Sequence, residues 1–417
     1  MTSLYPRCGA LDVHKETVVA CARVQKGTRV NRDVATFATT TAGLCALADW
    51  LAARRCSPVA MEATGVYWKP VWHVLEGRCE LVLANAAAVR NVPGRKSDVT
   101  DAVWLADLLA HGLIRASFVP PAPIQALRDL TRTRKQLVRQ VAQHTLRLQK
   151  TLEDANLKIT GIVTDLLGPS GRAILRALIA GETDPERLLA HTTGRLRAPR
   201  ARLLAGLHGA VTAHHRFLLH LHLEQIEALQ RAIAQLEARV AELIAPVHES
   251  VARLTTIPGV SHLVAHVLVA EVGLDMTHFP SPAHLRSWAG LCPRLDESAG
   301  KRRSTRLRPG APWLKTTLVQ AAWAAVKVKQ SYFRAQFLRL RARRGPKRAI
   351  VAVAASLLTT VYCMLRDGTP YRDLGATYFD QRDRSHTLRR LTRRIEALGY
   401  HVAVRPTASA RGLAISS

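Results

Sequence analysis

The sequence predicts an α/β domain on a mixed sheet, followed by a helical, partly coiled-coil middle and a mainly helical C-terminal region. Three observations carry that reading. Short β-rich runs alternate with helical ones up to about residue 118, the stretch PPAP at 120–123 breaks the pattern, and beyond it apolar residues recur in steps of three and four. The divisions fall at 1–118, 119–250, 251–377 and a basic tail, 378–417.

Within residues 8–37, CGALDVHKETVVACARV and RDVATFA alternate as consecutive strands joined by tight turns do. Residues 41–53 read as helix, 58–61 as a short apolar strand ending at Glu62, 66–75 as helix and 80–83 as strand. A last helix starts near Asp98, which gives the order βββ-α-β-α-β-α. Past the boundary, 127–152 is one long helical pattern carrying Arg128, Arg132, Arg134, Lys135, Arg139 and Arg147, a face suited either to solvent or to phosphate. Residues 153–215 are less regular. Ile226, Leu229, Ile233, Leu236, Val240, Leu243 and Val247 keep the a/d register of a coiled coil, a pattern that an antiparallel hairpin or a bundle seam within one chain shares. From Leu254, LTTIPGVSHLVAHVLVAEVG sets a Pro-Gly turn, with Gly259, between two apolar helical segments. That resembles a helix-hairpin-helix element, whose turn offers N–H groups to a phosphate backbone, and equally a plain tight turn between helices.

Composition narrows the partner. The 60 Lys and Arg against 31 Asp and Glu leave a net charge of +29, which suits a polyphosphate partner better than a small-molecule substrate. The excess is local: from Lys301 to Arg366 there is no acid, while Lys301, Arg302, Arg303, Arg306, Arg308, Lys315 and ten further Lys or Arg occur. DNA contact is expected there. The longest uncharged stretch, 349–365, is short for a membrane span and reads as a buried helix. The 7 cysteines include no C-x-x-C pair, which argues against a disulfide framework or a zinc site and for a reducing cytoplasm.

The acids are few, so their positions carry weight. Asp12 lies inside the first strand, where a carboxylate is unfavourable unless solvated, paired or holding a cation. Glu62 ends a later strand, where open α/β sheets collect function. Asp98 and Asp101, three residues apart, share one face of the last helix. Such acids commonly cap a helix and complement its dipole. Four of them at equivalent ends of one domain instead suit two Mg²⁺ ions about 4 Å apart, clamping the attacking and leaving oxygens of a phosphodiester displacement.

Taken together, ALDVHK, MEATGVYW and PGRKSDVTDAVWLADLL resemble the RuvC-like, ribonuclease-H-fold catalytic domain of the DEDD transposases of the insertion-sequence-110 family. The resemblance continues in order through LRDLTRTRKQLV, LTTIPGV, SWAGLCPRLDESAGKRRS, RRGPKRAIVAVA and MLRDGTPYRDLG, over nearly the whole chain. It implies that Asp12, Glu62, Asp98 and Asp101 bind Mg²⁺ and that Ser298, in ESAG, is a nucleophile joined covalently to DNA. It further implies synapsis of element ends and target by a homo-oligomer, dimer or tetramer, and an element-encoded guide, or bridge, RNA. Lys301, Arg302 and Arg303 beside Ser298 suit a phosphate clamp, although the run also reads as a flexible basic loop with Ser304 as a rival hydroxyl. Ser261, Pro309 and Pro312 depart from the glycines usual in the family.

The reading is therefore a cytoplasmic transposase-recombinase that acts on DNA without a membrane. One rival is a junction-resolving nuclease that uses the same acids with water as nucleophile. The other is a non-catalytic nucleic-acid-binding derivative of such an enzyme.

Overall fold

In the computed structural model the described residues are 3–63, 65–85, 89, 101–163, 165–192, 199–294, 296–304, 306–307 and 310–405. The chain divides into two compact units, Met1–Pro120 and Pro121–Ser417. The break falls inside PPAP.

The first unit is a five-stranded sheet in the order β3-β2-β1-β4-β5. Strands β1 (Arg7–Val13), β2 (Thr17–Lys26) and β3 (Arg29–Ala38) form an antiparallel meander. Strands β4 (Val59–Glu62) and β5 (Leu81–Ala84) join it in parallel. Alternation splits the apolar residues between two faces. Leu11, Ala20, Val59, Met61 and Leu83 pack with Leu44, Leu47 and Leu51 of helix α1 (Thr41–Ala53) and Val71 and Leu75 of α2 (Trp68–Leu75). Cys8, Ala10, Cys21, Ala60 and Ala84 pack on the opposite face with Ala102, Leu105, Ala106 and Leu109 of α3 (Asp101–Ala110). Small residues on that face let α3 approach closely.

The expected elements appear with shifts of a residue or two: α2 begins at Trp68 rather than 66, and β5 runs one residue later than 80–83. The helix expected from Asp98 is described only from Asp101, since 90–100 lie outside the described residues.

In the second unit, α4 (Ala122–Asp154) and α8 (Ala213–Ile244) are long partners. Three contacts fix them as antiparallel: Arg134 Nε donates to Glu237 Oε1 (2.7 Å), His144 Nδ1 meets His222 Nδ1 (3.2 Å), and His215 Nε2 meets Asp154 Oδ2 (3.1 Å). The a/d register thus belongs to an intrachain antiparallel hairpin, with Ile226 and Val240 buried. Between them, 153–215 is more ordered than expected. Helices α5 (Pro169–Ala180), α6 (Pro185–Ala190) and α7 (Arg200–Leu207) place Ile174, Leu178, Leu188, Leu203 and Leu207 in a core with Leu148, Leu152, Leu219 and Leu223. Prolines at the first turns of α5 and α6 start these helices rather than break them.

The chain continues through α9 (His248–Thr255), α10 (His262–Val272) and α11 (Pro282–Trp288). A ribbon of β6 (Asp296–Ser298) and β7 (Lys301–Ser304) precedes α12 (Pro312–Ala325), α13 (Tyr332–Arg344) and α14 (Pro346–Asp367). The apolar helix α14 is the buried element expected from its composition, with Ile350, Val353, Leu357, Leu358 and Val361 enclosed by α11, α12 and α13. The supposed tail is also structured: α15 (Tyr378–Arg382) and α16 (Arg384–Glu396) follow.

Candidate active site

Backbone register brings the first two acids together. Strands β1 and β4 pair in parallel up to Leu11↔Met61, so one further step sets Asp12 beside Glu62 at the C-terminal ends of neighbouring strands. Each lies two residues beyond an alanine, Ala10 or Ala60, that packs toward α3, and therefore faces the same side. Helix α3 runs opposite to β1: Leu4 N–H donates to Ala110 O (2.8 Å), and the Cys8 thiol to Ala106 O (3.6 Å). Its first residue, Asp101, thus lies toward the strand end that carries Asp12. The fourth acid, Asp98, lies outside the described residues. Among the described residues no three His, Cys, Asp or Glu side chains are grouped tightly enough to hold a metal ion.

The burial penalty expected of Asp12 is relieved twice over. Its side chain is 27% exposed, and its Oδ2 lies 3.1 Å from His14 Nε2. Sequence reasoning missed His14; the signal was its position two residues on, on the same side of the strand. By contrast Asp107, a further acid of α3, is committed to structure: Arg23 Nε donates to its Oδ1 (2.9 Å), and Arg32 bonds both oxygens at 3.1 Å. Burial pushes the Cys8 and Cys21 thiols up to about 12, so neither supplies a thiolate at neutral pH.

The serine segment is a hairpin and not a flexible loop. Strands β6 and β7 are antiparallel, Ser298 pairs with Lys301, and a bridge between Pro293 and Leu307 closes the base. The two turn residues, Ala299 (φ +50°) and Gly300 (φ +72°), are both left-handed, the requirement of a type I′ turn. Ser298 is therefore the last residue before a tight tip. Lys301 and Arg306 are exposed; Arg302 and Arg303 lie in β7, and Arg308 lies outside the described residues. The rival hydroxyl of Ser304 accepts the Arg306 backbone N–H at 3.2 Å.

At the Pro-Gly turn, packing accounts for the glycine. Gly259 has φ +83°, and a Cβ there would meet Ala321 O of α12 at 2.3 Å. Ser261 caps α10 by accepting from Val264 N–H, and Pro312 occupies the first turn of α12, so both departures from glycine fit the local helices. Much of the basic face of α4 is spent internally. Arg132 makes a two-pronged bond to buried Glu271, at 2.8 Å on each oxygen, and Arg128 bonds the backbone oxygens of Ala270 and Glu271. With Arg134 on Glu237, this leaves Arg139 and Arg147 as the better candidates for phosphate on that helix.

Two family models match this chain. A DEDD transposase model of the IS110 type, described as a transposase, covers residues 9–157, and a model described as the IS116/IS110/IS902 transposase family covers 251–338. A probable family 20 transposase of Pseudomonas aeruginosa is 25% identical over 320 residues, 75% of this chain and 85% of that protein. An uncharacterized 43.6 kDa protein of insertion element IS110 from Streptomyces coelicolor is 35% identical over 138 residues, 33% of each chain. A transposase for insertion sequence element IS1111A from Coxiella burnetii is 31% identical over 133 residues, 31% of this chain and 36% of that protein. The match spans about a third of the length of these last two relatives.

Proposed function

Because this chain belongs to the IS110 family of transposases, we propose that it cuts and rejoins DNA through a covalent serine–phosphate intermediate, with Asp12, Glu62, Asp98 and Asp101 as the acidic centre and Ser298 as the nucleophile. The observation that carries it is the β1–β4 register, which sets Asp12 and Glu62 at adjacent strand ends with Asp101 at the facing end of α3. The strand order β3-β2-β1-β4-β5, a meander extended by two parallel strands, supports a ribonuclease-H-like, RuvC-like reading of this unit.

In this reading the Ser298 hydroxyl attacks a DNA phosphorus, and the bond from phosphorus to the leaving strand's oxygen breaks. The serine proton passes to that oxygen, leaving one strand end as a phosphoserine ester and the other as a free hydroxyl. Rejoining is the reverse, with an incoming strand hydroxyl as nucleophile, so bond energy is conserved. Lys301, Arg302, Arg303, Arg306 and Arg308 neutralise the phosphate and its developing charge. A carboxylate set is the hard-oxygen donor type that Mg²⁺ takes, and two such ions, when bound, supply Lewis-acid stabilisation of the displaced and attacking oxygens. His14 holds Asp12 in place. The remainder of the proposal is a cytoplasmic homo-oligomer that joins element ends to target DNA, directed by an element-encoded bridge RNA.

The test is a denaturing gel. Protein, Mg²⁺, candidate guide RNA and element-end DNA should give a protein–DNA adduct that Ser298→Ala abolishes and Ser304→Ala retains. Cleavage by Ser298→Ala with release of free ends would instead establish the junction-resolving nuclease, with water as nucleophile.

A further inference from the structure

Helices α13, α15 and α16 enclose a cleft of about 800 Å³. Its wall on α13 carries Arg339 and Arg343, and its wall on α16 carries Arg390, all three exposed and without an ion pair among the described residues. The floor includes Phe379, half-buried, stacked on Tyr332 with ring centres 5.1 Å apart and with the Arg339 guanidinium 5.2 Å from its ring centre. The lining acids are Asp380 and Asp383, and Asp383 is occupied as the cap of α16, accepting from His386 N–H at 3.2 Å. Helix α16 has no buried residue, so no core accounts for where it stands. Cations that face one another across a cleft repel in the free protein, and an anion relieves that repulsion.

We propose that this cleft is a binding site for single-stranded nucleic acid, gripping successive phosphates between α13 and α16. The inference rests on nucleic acid being the partner of this chain, as in the reading above. The volume is that of a cleft for a small ligand, which suits a few nucleotides of one strand and not a duplex. A positively charged groove that tracks the backbone holds single strands irrespective of sequence. From Arg339 to Arg343 the helix rises about 6 Å, and Arg390 faces that stretch from α16. The α15–α16 wall lies beyond both matched family models, the later of which ends at residue 338.

The test is fluorescence anisotropy on the full chain with an RNA strand of about 12 nucleotides, a DNA strand of the same sequence and the corresponding DNA duplex, over a range of salt. The triple variant Arg339→Gln, Arg343→Gln, Arg390→Gln should bind single strands at least tenfold more weakly, with a log–log salt slope reduced by about 2. Its melting temperature should not change, and Arg390→Gln alone should reduce the slope by about 0.7. Loss on both strands supports a site for the shared phosphodiester backbone; loss on RNA alone or DNA alone supports the site and names its source. An unchanged slope on both strands, or an equal loss on the duplex, overturns the proposal. Failure of the unmodified chain to bind any of the three probes would overturn the nucleic-acid reading itself, a result distinct from failure of the cleft.

Discussion

Asp12, Glu62 and Asp107 are acids on one side of one sheet, and their partners separate their roles. Asp107 answers the Arg23 side chain, only 3% exposed, and removing it strands a buried guanidinium. Asp107→Ala should therefore destabilise the first unit by about 3 kcal/mol, read as a lower urea midpoint, whereas Asp12→Asn should leave the midpoint within about 0.5 kcal/mol. A midpoint unmoved by Asp107→Ala would show that water or Ser3 Oγ, 3.4 Å from Arg23 Nη1, satisfies the guanidinium. At this scale the sequence was informative where periodicity spoke: a carboxylate in an alternating strand and another at a strand end could be picked without a structure. Ser298 could not, because a hydroxyl in a basic run has no periodic signature; only the family resemblance singled it out. His14 was legible by the same period-two rule and went unread.

At the scale of elements, the ribbon tip is under strain. Ala299 holds a left-handed conformation that costs a residue with a Cβ about 1 kcal/mol, while its neighbour Gly300 adopts one freely. Ala299→Gly should raise the stability of the second unit by about 1 kcal/mol. If the proposed chemistry depends on a rigid tip, the same variant should form the Ser298 adduct more slowly; a faster rate would mean that the turn must flex. The hairpin was illegible because Ala-Gly is not among the dipeptides that announce such turns, and KRRS lacks the β-branched residues of a strand. The helices α5 to α7 were missed for the opposite reason. Their prolines and glycines look like interruptions, yet they stand at helix starts and, at Gly181 (φ +107°), at a left-handed stop. The long helices and α14 were legible since their length let the period accumulate.

At the scale of the molecule, the first unit has a core on each face of its sheet, drawn from its own residues. A fragment of residues 1–120 should fold alone, giving a cooperative thermal transition by circular dichroism; a featureless melt would show that it needs the rest of the chain. The net charge of +29 points to a polyanionic partner but not to which cations are free for it, since Arg128, Arg132 and Arg134 are internal ties. The second unit depends on α4 in a different manner. Near its start, Leu127 and Thr131 are buried beside the Arg128 bonds to α10, and near its end Leu148 and Leu152 enter the core of α5 to α8. About 30 Å of continuous helix joins the two. Such a shaft carries no proline or glycine after its first turn, so it has no built-in kink, and a displacement at its α10 end is conveyed along it toward the leucines at the other.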